Sequence, residues 1–278
     1  MGNTVLDLYF RLLEGLAPRL PLLALYRFIC VSGIWRPKSY ARLRKKILAN
    51  LAPYFPTSKD RIYAQMLKLE ARMVAENALL ARFPEKTRGA FKGSLPPLPR
   101  PCLVVSGHFF NFWLLIELLR VTGNEPVFVM GQKPQPGSPA EKSGWRAWRR
   151  WRKVQEFIYA SEGRSYEKCQ QALAEGKRLL LLLDTPKPYG FSARLLGRKI
   201  SVAAGGLKLS RKMNLPVWLI LPVPVHPHQP YTLKIKELPK APAPEILTAF
   251  MSLAEKLITS YPFSWTGWLY LDELSVND

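Results

Sequence analysis

The sequence predicts an α/β protein with a central mixed, largely parallel sheet flanked by helices, preceded by a helical N-terminal region. Three observations predict it. From Cys102 onward, short apolar or β-branched runs alternate with helix-patterned stretches, the order that builds crossover units on a parallel sheet. A stiff proline-rich connection, "GSLPPLPRP" from Gly93 to Pro101, leads into that alternation. Before it, the chain carries helical periodicity. We therefore divide the chain at 1–92, a helical N-terminal region, and 93–278, an α/β domain, with the two packed as one unit.

The N-terminal stretch "VLDLYFRLLEGLAPRLPLLALYRFICVSGIW" is apolar but is cut by Asp7, Arg11, Glu14, Arg19 and Arg27 and by Pro18 and Pro21. A spanning helix needs about 20 uninterrupted apolar residues, so this segment is not one. No small-residue cleavage site follows a short apolar core, which argues against a removable signal peptide. Leu6, Tyr9, Phe10, Leu13 and Leu16 keep helical spacing around the charges. That pattern fits a helix lying in a membrane interface, and equally a helix pair packed on the protein's own core. From Lys38 to Arg82 a basic, helix-compatible block is broken once, at "NLAPYFPTSKD", where Pro53 and Pro56 stop one helix before the next begins.

Strands are predicted at Cys102–Ser106, Val127–Met130, Arg178–Asp184, Val217–Val223 and Tyr231–Lys236. Helices are predicted at Phe110–Arg120, Tyr166–Glu175 and Ala203–Met213, with one more in "APEILTAFMSLAEKLITSYP" near the C-terminus. No internal repeat is visible, which excludes a solenoid.

Of the 278 residues, Lys and Arg number 41 against 20 Asp and Glu, a net charge of +21. Such an excess faces something negative: nucleic acid, anionic lipid or an acidic carrier. The segment "GWRAWRRWRKVQEF" sets Trp145, Trp148 and Trp151 among Arg146, Arg149, Arg150, Arg152 and Lys153, a composition suited to an anionic membrane interface. Bases and phosphates could use the same residues, and a tryptophan face buried in the core is the plain structural alternative. Three cysteines, Cys30, Cys102 and Cys169, form no C-x-x-C pair. They point to a reducing environment with neither a disulfide framework nor a zinc site.

The chemistry centres on "CLVVSGHFFNFWLLIELLR", where a strand ends at Gly107-His108 and a helix follows. Ligands of open α/β sheets bind at such strand ends, and the helix N-terminus offers free N–H groups. "SGHFFNFW" resembles the histidine signature of the bacterial late acyltransferases of lipid A synthesis, within the lysophospholipid acyltransferase superfamily. "EGRSYEKCQQALAEGKRLLLLLDTP", "LLGRKISVAAGGLKLSRKMNLPVWLILP" and "ANLAPYFP" are similar to further elements of that family in the same order. The resemblance implies His108 as general base, Asn111 as an orienting or oxyanion-side residue, and Arg164, Arg198 and Lys199 as contacts to phosphorylated headgroups. Gly197, Gly205 and Gly206 allow the turns of the loop-to-helix segment.

One departure stands out. The family carries an acid where this chain has Trp113, and an indole N–H cannot accept the imidazole's proton. Glu117, one turn further along the same helix, is the first replacement, because a carboxylate in "FWLLIELLR" is costly unless paired. Its plain alternative is a pair with Arg120. Asp184, otherwise assigned to substrate contact, and Glu162 are the other candidates for the acid. An altered acceptor or a fold retained without catalysis would also account for the loss. His226 and His228, in the proline-flanked "VHPHQP", are read as structural and make a poor metal site.

The resemblance implies an acyltransferase of lipid A and lipopolysaccharide biosynthesis, acting peripherally at the cytoplasmic face of the bacterial inner membrane. The acyl group would move from an acyl carrier protein or coenzyme A thioester to a hydroxyl of a lipid or lipid-linked precursor. A glycyl transferase acting on lipid A, an inactive lipid or carrier-protein binder, and, on charge alone, a nucleic-acid binder remain the alternatives. No cofactor or metal is expected. The expected partners are acyl carrier protein and anionic membrane lipid, not nucleic acid, for a monomeric protein.

Overall fold

The computed structural model describes residues 43–80, 83–109, 111–132 and 155–275, with scattered positions between 12 and 28. The arginine and tryptophan segment, Cys30 and most of the N-terminal apolar stretch lie outside the described residues. Helices α1 (Arg44–Leu51) and α2 (Lys59–Leu80) are separated where the prolines predict a break.

Strands β1 (Phe91–Lys92), β2 (Cys102–Ser106), β3 (Pro126–Met130), β4 (Phe157–Tyr159), β5 (Arg178–Leu182), β8 (Val217–Val223) and β9 (Tyr231–Leu238) form one seven-stranded sheet. Its order is β1-β9-β8-β2-β5-β3-β4. All neighbours run parallel except β8 and β9, so the sheet is mixed and largely parallel. Between β5 and β8 lies a separate antiparallel hairpin of β6 (Pro186–Leu195) and β7 (Arg198–Val202). The remaining helices are α3 (Phe112–Val121), α4 (Ser165–Ala174), α5 (Gly205–Lys212), α6 (Ala243–Ser260) and the short α7 (Leu271–Leu274).

Every residue of β2 is buried, as expected of a strand covered on both faces. Alternate residues serve two cores. Leu103 and Val105 join α2, α5, α6 and the C-terminal turns, whereas Cys102 and Val104 pack against Leu115, Ile116 and Leu119 of α3. Burying each Leu or Val side chain contributes roughly 1.5–3 kcal/mol. The N-terminal helices share the larger core with the sheet, through Ile47, Leu51, Met66 and Leu69.

The topology places the site. β2 leaves through α3 to β3, and its neighbour β5 leaves through the hairpin and α5 to β8 on the opposite side. Connections that part in this way open a crevice at the carboxyl ends of the two strands.

Candidate active site

β2 and β5 pair in parallel register, with Ser106 opposite Leu182 and the Leu183 N–H donating to the Ser106 carbonyl at 2.9 Å. Equal steps beyond that last pair bring His108 and Asp184 side by side. The Nδ1 of His108 lies 2.8 Å from Oδ1 of Asp184. The His108 backbone N–H also donates to the carboxylate, at 3.0 Å to Oδ1 and 2.8 Å to Oδ2. Trp265 Nε1–H completes the set with a 2.8 Å bond to Oδ2. Gly107 makes the approach feasible, because a Cβ there would sit 3.2 Å from Asp184 Oδ2 and from the Phe109 and Phe250 rings.

Burial pushes the Asp184 carboxyl up, but the charge and hydrogen bonds of His108, with the bond from Trp265, outweigh it and hold the group below the usual aspartate range. An ionised carboxylate only accepts, so Nδ1 of His108 carries the proton, and in the neutral imidazole the lone pair is on Nε2. The imidazole is one-fifth exposed while the carboxylate is sealed at 2%. Phe112 and Tyr270 meet the ring edge-on, with centroids at 5.7 and 5.4 Å. The arrangement is a sealed carboxylate orienting a one-fifth-exposed imidazole, a geometry that can support proton transfer.

Asp184 is therefore the acid partner of His108, and the substrate contact assigned to it does not fit a carboxylate with both oxygens occupied. Glu117, the first candidate for that role, is instead bound by Arg120, which donates through Nε and Nη2. Helix geometry explains the difference: a carboxylate and a guanidinium three residues apart on one face meet each other. Glu162 is more than a third exposed and pairs with Lys168 at 3.6 Å. Trp113 fills an aromatic cluster with Phe112, Phe128 and Phe157.

Asn111 caps α3, its Oδ1 accepting from the Leu114 N–H at 3.3 Å, while its Nδ2 donates to Glu76 Oε2 at 2.9 Å. It is buried, so it positions the loop after His108 rather than meeting substrate. Glu76, on α2, also accepts from Arg72 at 2.7 Å and from the Tyr231 hydroxyl at 2.8 Å. Sequence reasoning missed Glu76, although a glutamate four residues after an arginine within a helix is a legible pair.

Arg164 is exposed at the start of α4, in the left-handed region at φ 51°. Arg198 is half-buried with its guanidinium 5.7 Å from the Tyr54 ring. Neither bonds His108 or Asp184. Gly197, at φ 75°, forms the hairpin turn with Leu196 at φ 52°. Lys199 lies on β7. Gly206 packs closely on β5, since a Cβ there would meet Leu181 Cδ1 at 2.1 Å unless that side chain shifted.

Burial raises the Cys102 and Cys169 thiols to about 11, which leaves neither as a ready nucleophile. A groove of about 460 Å³ between α5 and α6 is lined by Phe191, Lys208, Arg211, Lys212, Ala243 and Pro244 and is strongly electropositive. It does not include His108. Among the described residues, no helix is long and apolar enough to cross a membrane. No family model and no curated protein matches the chain.

Proposed function

We propose that the protein is an acyltransferase of the lipid A late-acyltransferase type, moving an acyl group from a thioester to a hydroxyl of a lipid or lipid-linked precursor. The observation that carries this reading is the His108–Asp184 pair, a sealed carboxylate on a one-fifth-exposed imidazole at a switch point of the sheet. The motif resemblance supplies the substrate class.

In this mechanism Nε2 of His108 takes the proton of the acceptor hydroxyl as its oxygen attacks the thioester carbonyl carbon. Asp184 stabilises the imidazolium that forms, while Nδ1 keeps its own proton. The tetrahedral intermediate collapses with cleavage of the carbon–sulfur bond, and the departing thiolate receives the proton from Nε2. An ester and a free thiol result. The N-terminal end of α3, beginning at Phe112 just past His108, places the positive end of a helix dipole toward the developing oxyanion.

The net charge of +21 supports peripheral attachment to an anionic membrane face and an acidic carrier protein as donor. Phosphates of a nucleic-acid backbone would meet the same cations. The test is mass spectrometry of lipids from bacteria expressing the wild type or His108→Ala. An added acyl chain is expected with the first and none with the second, at equal amounts of folded protein. Transfer by His108→Ala would overturn the mechanism, and oligonucleotide binding without any acyl product would favour the nucleic-acid reading.

A further inference from the structure

We propose that Trp265 is a positioning residue of the site, which fixes the Asp184 carboxylate through its indole N–H and thereby sets which nitrogen of His108 carries the proton. Two adjacent residues of the C-terminal segment hold both halves of the pair. Trp265 Nε1 donates to Asp184 Oδ2 at 2.8 Å. Thr266 grips the His108 carbonyl twice, through its N–H at 2.9 Å and its hydroxyl at 3.0 Å. Phe109 and Trp265 further form an antiparallel bridge.

The indole is wholly buried and its direction is over-determined. Trp268 meets it edge-on at 5.2 Å. Gly267 passes so near that a Cβ would lie 2.0 Å from Trp265 Cζ2, so no larger residue fits beside the ring. The segment is itself tethered, with Asn50 of α1 donating to the Trp268 carbonyl at 2.9 Å and Trp268 Nε1 donating to the Pro262 carbonyl at 2.7 Å. A buried indole N–H needs some acceptor, and many carbonyls would serve. Here the acceptor is the second oxygen of the carboxylate whose first oxygen holds the histidine. Trp265 shares Oδ2 with the His108 backbone N–H, and the two bonds together hold the carboxylate against rotation so that Oδ1 stays aimed at Nδ1.

The kinetic consequence rests on the acyl-transfer reading; the structural one does not, and the experiment separates them. His108 is one of only three histidines, so its ring nitrogens can be assigned by NMR after substitution of His226 and His228. The wild type is expected to carry the proton on Nδ1. Trp265→Phe removes the donor and should shift the population toward the Nε2–H form, accelerate exchange of the Nδ1 proton, and lower kcat roughly 10- to 100-fold with little change in KM. Because phenylalanine also leaves a cavity, benzothienylalanine, which keeps the indole shape and lacks the N–H, is placed at the same position. A tautomer shift in both folded variants supports the inference, even if the wild type transfers no acyl group, in which case only the transfer reading falls. An unchanged tautomer in the benzothienyl variant overturns it whatever the rate.

Discussion

Replacing Asp184 by Asn changes one atom type at the point where three donors converge. Those donors are His108 Nδ1–H, the His108 backbone N–H and Trp265 Nε1–H. An amide has one accepting oxygen where the carboxylate has two. If that oxygen faces Trp265, the NH2 group faces Nδ1, which must then accept, and the imidazole proton moves to Nε2. Nε2 can no longer take a proton from a hydroxyl. If the oxygen faces His108 instead, NH2 and the indole N–H oppose each other in a buried site, a cost of about 1–3 kcal/mol. The first arrangement therefore prevails, and loss of the charge further weakens the imidazolium. A carboxylate that orients a catalytic histidine is worth roughly 10⁴-fold in turnover, about 5.5 kcal/mol of barrier. The assay is the initial rate of ester formation from an acyl carrier thioester, followed by mass spectrometry, with unfolding in urea run beside it. Loss of turnover with KM nearly unchanged is expected. A folded Asp184→Asn variant that keeps more than about a tenth of the wild-type rate would refute the assignment.

Glu117→Gln should leave turnover within about twofold in the same assay, because its carboxylate is spent on Arg120, and should cost stability of order 1–3 kcal/mol by leaving that guanidinium half-paired. Trp113→Glu, which restores the acid seen in the resembling family, should not raise turnover, since Nδ1 is already occupied, and should lower the melting temperature by setting a carboxylate among Phe112, Phe128 and Phe157. Asp184 is held below its ordinary value of 3.8, so its charge contributes stability above that value and loses it as pH falls through the depressed folded-state value. Urea unfolding at successively lower pH should accordingly show the stability gap between wild type and Asp184→Asn closing through and below the ordinary aspartate range; a gap independent of pH would contradict an ionised Asp184.

The sheet's main strands were legible because burial on two faces writes apolar runs. "CLVVS" and "RLLLL" occur where those runs predict strands, and β8 spans the predicted residues. The elements that were not read have physical reasons. β1 is two residues long and β4 three, too short for any period to show. The β6–β7 hairpin starts at Pro186-Lys187-Pro188 and turns at Leu196-Gly197, without the Asn-Gly or Asp-Gly pair that marks a tight hairpin. Its buried residues, Leu195, Ile200 and Val202, pack in the larger core beside α6, outside the main sheet.

The acid was harder to find because helix spacing and sheet register answer different questions. Helix spacing ranked Glu117, one turn beyond Trp113, ahead of Asp184 and Glu162. The partner lies instead two residues past the end of the neighbouring parallel strand, and a tertiary pairing, Ser106 with Leu182, brings it level with the histidine. That placement has a consequence for the chemistry. A carboxylate on α3 would have to reach back past the loop that separates the helix from His108. Asp184 receives the His108 backbone N–H as well as Nδ1, so one group fixes both the main chain and the side chain of the base. Helix α3 is then relieved of the acid, and Trp113 can be aromatic without cost to the base. The substitution that makes the motif look broken is thus compatible with an intact His–Asp pair, because the residue that orients the histidine comes from the turn after β5.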